Sequence, residues 1–237
     1  MESQSPPPEP HSQQPLTYPS SPSPHHTTLA TFLSHASRTN LDPASTVYVG
    51  THFEYTVLHA LSRYGLSLRR VGGVSDGGID LLGTWTLPAH LPDNSNPSEK
   101  GNVLRVLAQC KAVQRGGPHL VRELEGAFAA APAGWRGTRG VMGLLVGCRA
   151  ATKGMREAVG RSRWPMGFVA CSVEGRVEQF LWNRRAEEEG LEGVGVGMRY
   201  LGGGEGGERE LVLTWRGRNL PFVEDKEGSE VEGGGGG

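Results

Sequence analysis

The sequence is short of cysteine: Cys110, Cys148 and Cys171 are widely spaced, each lies in an apolar run, and none has a CxxC partner or nearby histidine. A cysteine-based zinc set is thereby excluded, and the three read as reduced core residues. His52 and His59 fall seven apart on one helical face with no third ligand, which argues against a histidine zinc site as well. No segment approaches the roughly 18 uninterrupted apolar residues that a membrane-spanning helix needs, so a soluble protein is expected. A secretory apolar core and an Arg-rich presequence helix are both missing, although residues 10–37 carry no acidic side chain, and the residues alone leave targeting open. The glycines of GGVSDGG are not followed by GK[ST] and open no helix, which rules out a nucleotide-binding loop.

Glycine and proline are abundant, at 36 and 16 of 237 residues; 8 of the 16 prolines fall in residues 1–27, and a run of five glycines closes the chain. Residues 1–27 are dominated by Pro, Ser, Gln and His, a composition that buries too little apolar surface to offset ordering, and disorder is expected there. The Gly- and Glu-rich tail, 224–237, reads the same way. One domain over residues 28–223 remains, long enough for a single core. The formal charge of −1 conceals an asymmetry: residues 45–185 hold 18 Lys and Arg against 10 Asp and Glu, whereas residues 186–237 hold 5 against 12. A basic body suits a polyanionic partner, because neutralised phosphates release their counterions. Scattered solvated charge is the competing explanation.

Hydrophobic spacing predicts a helix over 51–64, with Thr51 as N-cap and Phe53, Val57, Ala60, Leu61 and Tyr64 on one face. LSLRRV, GIDLLGTW and VLRVLAQCKAV read as strands, with a polar excursion at 87–102 between the last two. HLVRELEGAFAAA has the spacing of a helix packing through Leu120, Leu124, Ala127 and Phe128. GVMGLLVGC is a buried strand, TKGMREAVGRS a helix capped by Thr152, and MGFVACSV and VEQFLW two more strands. The order α-β-β-β-α-β-α-β-β implies a mixed α/β layered domain with central strands buried on both faces. VGMRYLG and RELVLTW add a hairpin at the acidic end.

Asp80 stands at the start of an apolar strand, where an ionised carboxylate is costly unless a cation or hydrogen-bond donor meets it. A hairpin across the excursion places it beside AQCKA, in which Gln109 and Lys111 share one face and Cys110 takes the other. A carboxylate, an amide oxygen and an ammonium at one sheet edge suit phosphodiester cleavage. A hard cation such as Mg²⁺ takes oxygen ligands and keeps several waters, so Asp80 and Gln109 can suffice when substrate phosphate supplies the rest. Lys111, with an ordinary pKa of about 10.4, fits charge stabilisation better than general base. Asp76 reads as the turn residue of SDGG. Glu54 reads on its own as half of a capping box with Thr51. Glu123 can face the site as an outer carboxylate, but RELE is also ordinary solvated helix surface, which is the favoured reading. Arg115, Arg122, Lys153 and Arg156 lie near helix starts, where phosphate contacts are favoured.

At these residues the sequence resembles the Mrr-type restriction endonuclease-like proteins of the PD-(D/E)xK nuclease superfamily. More narrowly, it resembles the fungal mitochondrial family called Required for respiratory growth protein 7. GTHFEYTVLHALSRYGLSLRRVGGVSDGGIDLLG, LAQCKA, VRELEGAF and GLLVGCRAATKGMREAV carry the resemblance over residues 50–182, in the family's order. It implies a restriction endonuclease-like α/β fold, a central mixed sheet flanked by helices, and a mitochondrial location. It makes Asp80 the metal-binding aspartate, Lys111 the catalytic lysine, Glu54 the first-helix glutamate and Gln109 the first residue of a QxK variant. The expectation is a Mg²⁺- or Mn²⁺-dependent nuclease acting on DNA, with mitochondrial genome maintenance and respiratory growth as the setting and with nucleic-acid contacts from Lys111, Arg115, Arg122 and Lys153. The commoner superfamily pattern has Glu or Asp where this chain has Gln109, which weakens the expected metal affinity. The alternative is therefore a nuclease-fold nucleic-acid-binding or assembly module that does not cut.

Overall fold

A computed structural model describes residue 16 and residues 18–71, 77–87, 103–137, 139–201 and 208–223. Asp76, most of the polar excursion and the whole 224–237 tail lie outside the described residues. Helix α1 (Leu29–Arg38) precedes α2 (Thr46–Ser62), followed by β1 (Leu66–Arg70), β2 (Leu81–Thr86) and β3 (Val103–Lys111). Then come α3 (Pro118–Ala130), β4 (Val141–Gly147), α4 (Lys153–Arg161), β5 (Met166–Cys171) and β6 (Val177–Trp182). A second sheet is built from β7 (Val194–Leu201), β8 (Glu208–Trp215) and β9 (Arg218–Asn219).

The main sheet runs β1-β2-β3-β4-β5-β6, parallel across β3, β4 and β5 and antiparallel elsewhere. It is therefore a mixed sheet, and the α/β order read from hydrophobic spacing holds from α2 to β6. On one face α2 packs Phe53, Val57 and Leu61 against Leu81, Trp85 and Val106. On the other, α3 and α4 pack Leu124, Phe128, Met155 and Val159 against Leu82, Leu107 and Leu145. The strand β4 is buried along six of its seven residues because both layers cover it. Close approach of α3 requires Gly143, where a Cβ would lie 2.6 Å from the Phe128 ring.

Two helix starts differ from expectation. The helix expected from Thr51 begins at Thr46, where Ser45 Oγ accepts from Tyr48 N at 3.2 Å after a turn in which Asp42 accepts from Ala44 N. Thr51 is buried inside that helix, so Thr51 and Glu54 form no capping box. Gly50 obscured the boundary: a mid-helix glycine costs about 1 kcal/mol against alanine, which packing of the apolar face outweighs. The helix α1 was not expected. Its Thr28 cap exchanges hydrogen bonds with Thr31, and Phe32 and Ala36 are buried.

Residues 18–27 fall within the stretch expected to be disordered; most of them are exposed, and Tyr18 and His26 pack on the domain. Tyr18 lies edge-on to Trp135, with centroids 4.9 Å apart, and Arg69 sits over its ring. The Tyr55 hydroxyl donates to His26 O at 3.1 Å and lies 2.8 Å from His26 Nδ1. Burial first, then the charges of Arg70, His35 and His25, push the His26 pKa below its ordinary 6.5. A base held below its unfolded pKa binds fewer protons when folded, so stability should fall as pH drops from about 6.5 toward the depressed value. Hydrogen exchange of residues 18–27 measured between pH 7.5 and 5 should show protection lost on acidification. His26→Asn should flatten that dependence; an unchanged pH profile would exclude this contact as its source.

The hairpin of β7 and β8 docks on the end of α2, as Tyr64 Oη donates to Leu211 O at 3.0 Å and Arg63 pairs with Glu210 at 2.8 Å. The expected two-stranded unit carries the short third strand β9. Among the described residues no helix is long and apolar enough to cross a membrane.

Candidate active site

The strand β3 lies between antiparallel β2 and parallel β4, and its pleat divides the QCK segment as the alternation requires. Leu107 packs toward α3 and Ala108 toward α2, so Gln109 and Lys111 project on the α3 side while Cys110 packs on the α2 side. Gln109 is only 4 % exposed, and its Oε1 accepts no hydrogen bond among the described residues. A buried, unsatisfied carbonyl oxygen costs about 1–3 kcal/mol and calls for a partner. Beside it Gly78 has a φ of +81°, and a Cβ there would approach Gln109 Nε2 to 3.0 Å, so glycine leaves room for the amide.

Asp80 is fixed from both sides. Its N–H donates to Ala108 O at 2.9 Å, and its carbonyl accepts from Val71 N at 2.8 Å. Its carboxylate Oδ2 accepts at 2.7 Å from the backbone N–H of Cys110, the residue between Gln109 and Lys111. Side-chain alternation breaks here: Ile79 and Leu82 both pack on the α3 side, with Leu81 on the α2 side. The break draws Asp80 onto the backbone of β3.

Lys111 Nζ lies 3.0 Å from Glu123 Oε2 on α3. Glu123 therefore joins its two readings: it stays exposed on α3, and it also reaches Lys111, because α3 crosses above the end of β3. Glu54 is engaged from the other layer, where Arg70 Nε donates to its Oε2 and the guanidinium carbon of Arg70 lies 5.7 Å from the Tyr55 ring centroid. Arg70 was not singled out from the sequence, although Leu66, Leu68 and Arg70 alternate on the face that meets α2. The Cys110 thiol senses the convergence: burial pushes its pKa well up, Asp80 and Glu54 add to that, and Lys111 opposes it. Such a thiol stays protonated and is no nucleophile.

The expected phosphate contacts divide. Arg115 lines a cavity that also includes Lys111. Arg122 is exposed on α3, and Lys153 is 85 % exposed with its ammonium 3.9 Å from Glu157. Arg156 Nη1 instead closes the start of α4 by donating to Ala151 O at 2.5 Å. Among the described residues no three His, Cys, Asp or Glu side chains gather to hold a metal ion. His52 Nδ1 lies 3.4 Å from Thr56 Oγ1 within its own helix. The donor set is one carboxylate and one amide oxygen, which fits a hydrated hard cation and not a dedicated protein cage.

The sequence pattern of the Required for respiratory growth protein 7 family matches residues 45–200. A mitochondrial protein of Schizosaccharomyces pombe is 30% identical over 165 residues, covering 68% of this chain and 61% of its own. Required for respiratory growth protein 7 of Eremothecium gossypii is 39% identical over 114 residues, 36% of this chain and 48% of that protein. Its counterpart in Saccharomyces cerevisiae is 34% identical over 117 residues, 35% of this chain and 48% of that one. The chain thus spans about half to three fifths of the length of these relatives. No solved structure matches it. All three relatives are mitochondrial proteins, which places this chain in the mitochondrion. With its pattern matched from the start of α2 through β7, the chain belongs to the Required for respiratory growth protein 7 family.

Proposed function

We propose that the protein is a metal-dependent nuclease of restriction endonuclease-like fold that cleaves phosphodiester bonds in DNA, in the service of the mitochondrial genome. The observation that carries this reading is the buried Oε1 of Gln109, without a hydrogen-bond partner among the described residues, next in sequence to the Cys110 amide that pins the Asp80 carboxylate. Asp80 and Gln109 would hold Mg²⁺ or Mn²⁺, with water and substrate phosphate as the remaining ligands. Bound there, the cation supplies a water of lowered pKa and polarises the phosphate. The chain's own groups do the rest. Lys111, steered by Glu123, offers its ammonium to charge building on the attacked phosphate, and Cys110 N–H fixes the Asp80 carboxylate. Arg70 offsets the charge of Glu54, which keeps that carboxylate as a support behind the site.

Metal titration followed by thermal unfolding tests the assignment. A ligand that binds only the folded state raises the melting temperature with its concentration, so Mn²⁺ should stabilise the wild type. Gln109→Glu should lower the metal-free melting temperature, because it buries a charge, and should enlarge the Mn²⁺-induced rise. Asp80→Asn should abolish that rise. A rise that survives Asp80→Asn would overturn the ligand set. The second reading, a binding module that does not cut, is favoured by the neutral amide at Gln109, and predicts salt-sensitive DNA binding with no metal-dependent product.

A further inference from the structure

We propose that the cavity beside Lys111 seats a single unpaired nucleotide of the bound strand, which makes frayed, flapped or single-stranded DNA the favoured substrate class; this rests on reading Asp80, Gln109 and Lys111 as a phosphodiester site. The cavity measures about 240 Å³ and opens where the parallel strands β3 and β4 end, at Lys111 and Gly147. Crevices at the carboxyl ends of parallel strands are recurrent ligand sites. Its floor is apolar, from Leu145, Met155 and Phe168, and its cationic side chains are Lys111, Arg115 and Arg149. Among the described residues no acidic side chain lines it. Arg149 is steadied by Nε donating to Gln114 Oε1 at 3.0 Å.

Apolar floor and cationic rim together match a nucleotide, whose ring stacks while its phosphate meets guanidinium groups. The Phe168 ring is buried under Gly147, where a Cβ would stand 3.3 Å from its edge, so the glycine keeps the apolar floor low and the cavity open above it. The volume lies below the roughly 300 Å³ at which drug-sized ligand pockets begin, which admits one ring and not a base pair. In the sheet Leu145 is the register partner of Gln109, and Gly147 that of Lys111. The floor therefore adjoins the proposed metal ligands, and a nucleotide seated in the cavity flanks the bond that Lys111 addresses.

Fluorescence anisotropy in EDTA tests this without metal or turnover, using a labelled blunt duplex and the same duplex with an unpaired end. The wild type should bind the unpaired end about tenfold tighter, the scale of one lost base-stacking contact. Ala150→Trp fills the cavity from an exposed lining position, and Arg149→Ala removes a phosphate partner. Both should erase the preference. Equal wild-type affinity for the two DNAs, or a preference that persists in Ala150→Trp, overturns the cavity assignment. If the Mn²⁺-dependent melting rise is intact in that case, the phosphodiester site stands alone; absence of binding to either DNA, with no such rise, removes both.

Discussion

Lys111→Ala and Asp80→Asn are each expected to lower Mg²⁺-dependent plasmid cleavage by about 10²–10³-fold, the usual loss when one electrostatic contributor to a transition state is removed. The two substitutions should do so with little harm to the fold, and the geometry says why. Lys111 pairs with a Glu123 side chain that is about half exposed, so removing the ammonium leaves no buried charge behind, and such pairs contribute about 0–1 kcal/mol. Asp80 is different, because its carboxylate accepts from Cys110 N. Alanine there would strand that amide at a cost of about 1–3 kcal/mol, whereas the asparagine oxygen can still accept from it. Asp80→Asn therefore separates loss of charge from loss of structure. Gel assays of supercoiled plasmid read the cleavage, and thermal unfolding in EDTA confirms the fold. Undiminished cleavage by both variants would remove these residues from the chemistry.

The separation of the two layers was legible in the sequence because strand alternation and helix spacing are local consequences of backbone geometry. Leu120, Leu124, Ala127 and Phe128 are buried as their spacing requires, and Thr152 caps α4 by accepting from Met155 N. Gln109 and Lys111 share a face for the same reason. What alternation could not give is the break at Asp80, since a local kink depends on the hydrogen bonds that both neighbouring strands impose on that residue. Nor could it give the partners of Glu54 and Lys111. Arg70 and Glu123 reach them across layers, and only the packing of α2 and α3 on the sheet sets which charges meet. The start of α2 was lost to a glycine whose propensity tertiary contacts override.

The largest expected change in stability comes from Trp85→Ala. Trp85 sits on β2 five residues after Asp80 and is completely buried. Its indole N–H donates to Tyr64 O at 2.9 Å, and its ring stacks on Phe180 with centroids 5.2 Å apart. Phe180 belongs to β6, with three strands between it and β2, so the sheet must curl around the α2 layer for these rings to meet. Removing the indole deletes the contact that closes this curl and leaves the Tyr64 carbonyl short of a donor. Truncation of a buried Trp to Ala costs about 3–5 kcal/mol. Domains hold only about 5–15 kcal/mol in total, so the variant should be partly unfolded near physiological temperature. Urea denaturation followed by far-ultraviolet circular dichroism should show the midpoint falling with the slope unchanged. Trp85→Phe keeps the ring stack and loses the hydrogen bond, and should cost less, about 1–2 kcal/mol from the lost donor and reduced volume. Cleavage by Trp85→Ala should track its folded fraction, because the strand that carries Asp80 into the site is the strand this ring anchors; a loss below about 1 kcal/mol would contradict the core placement.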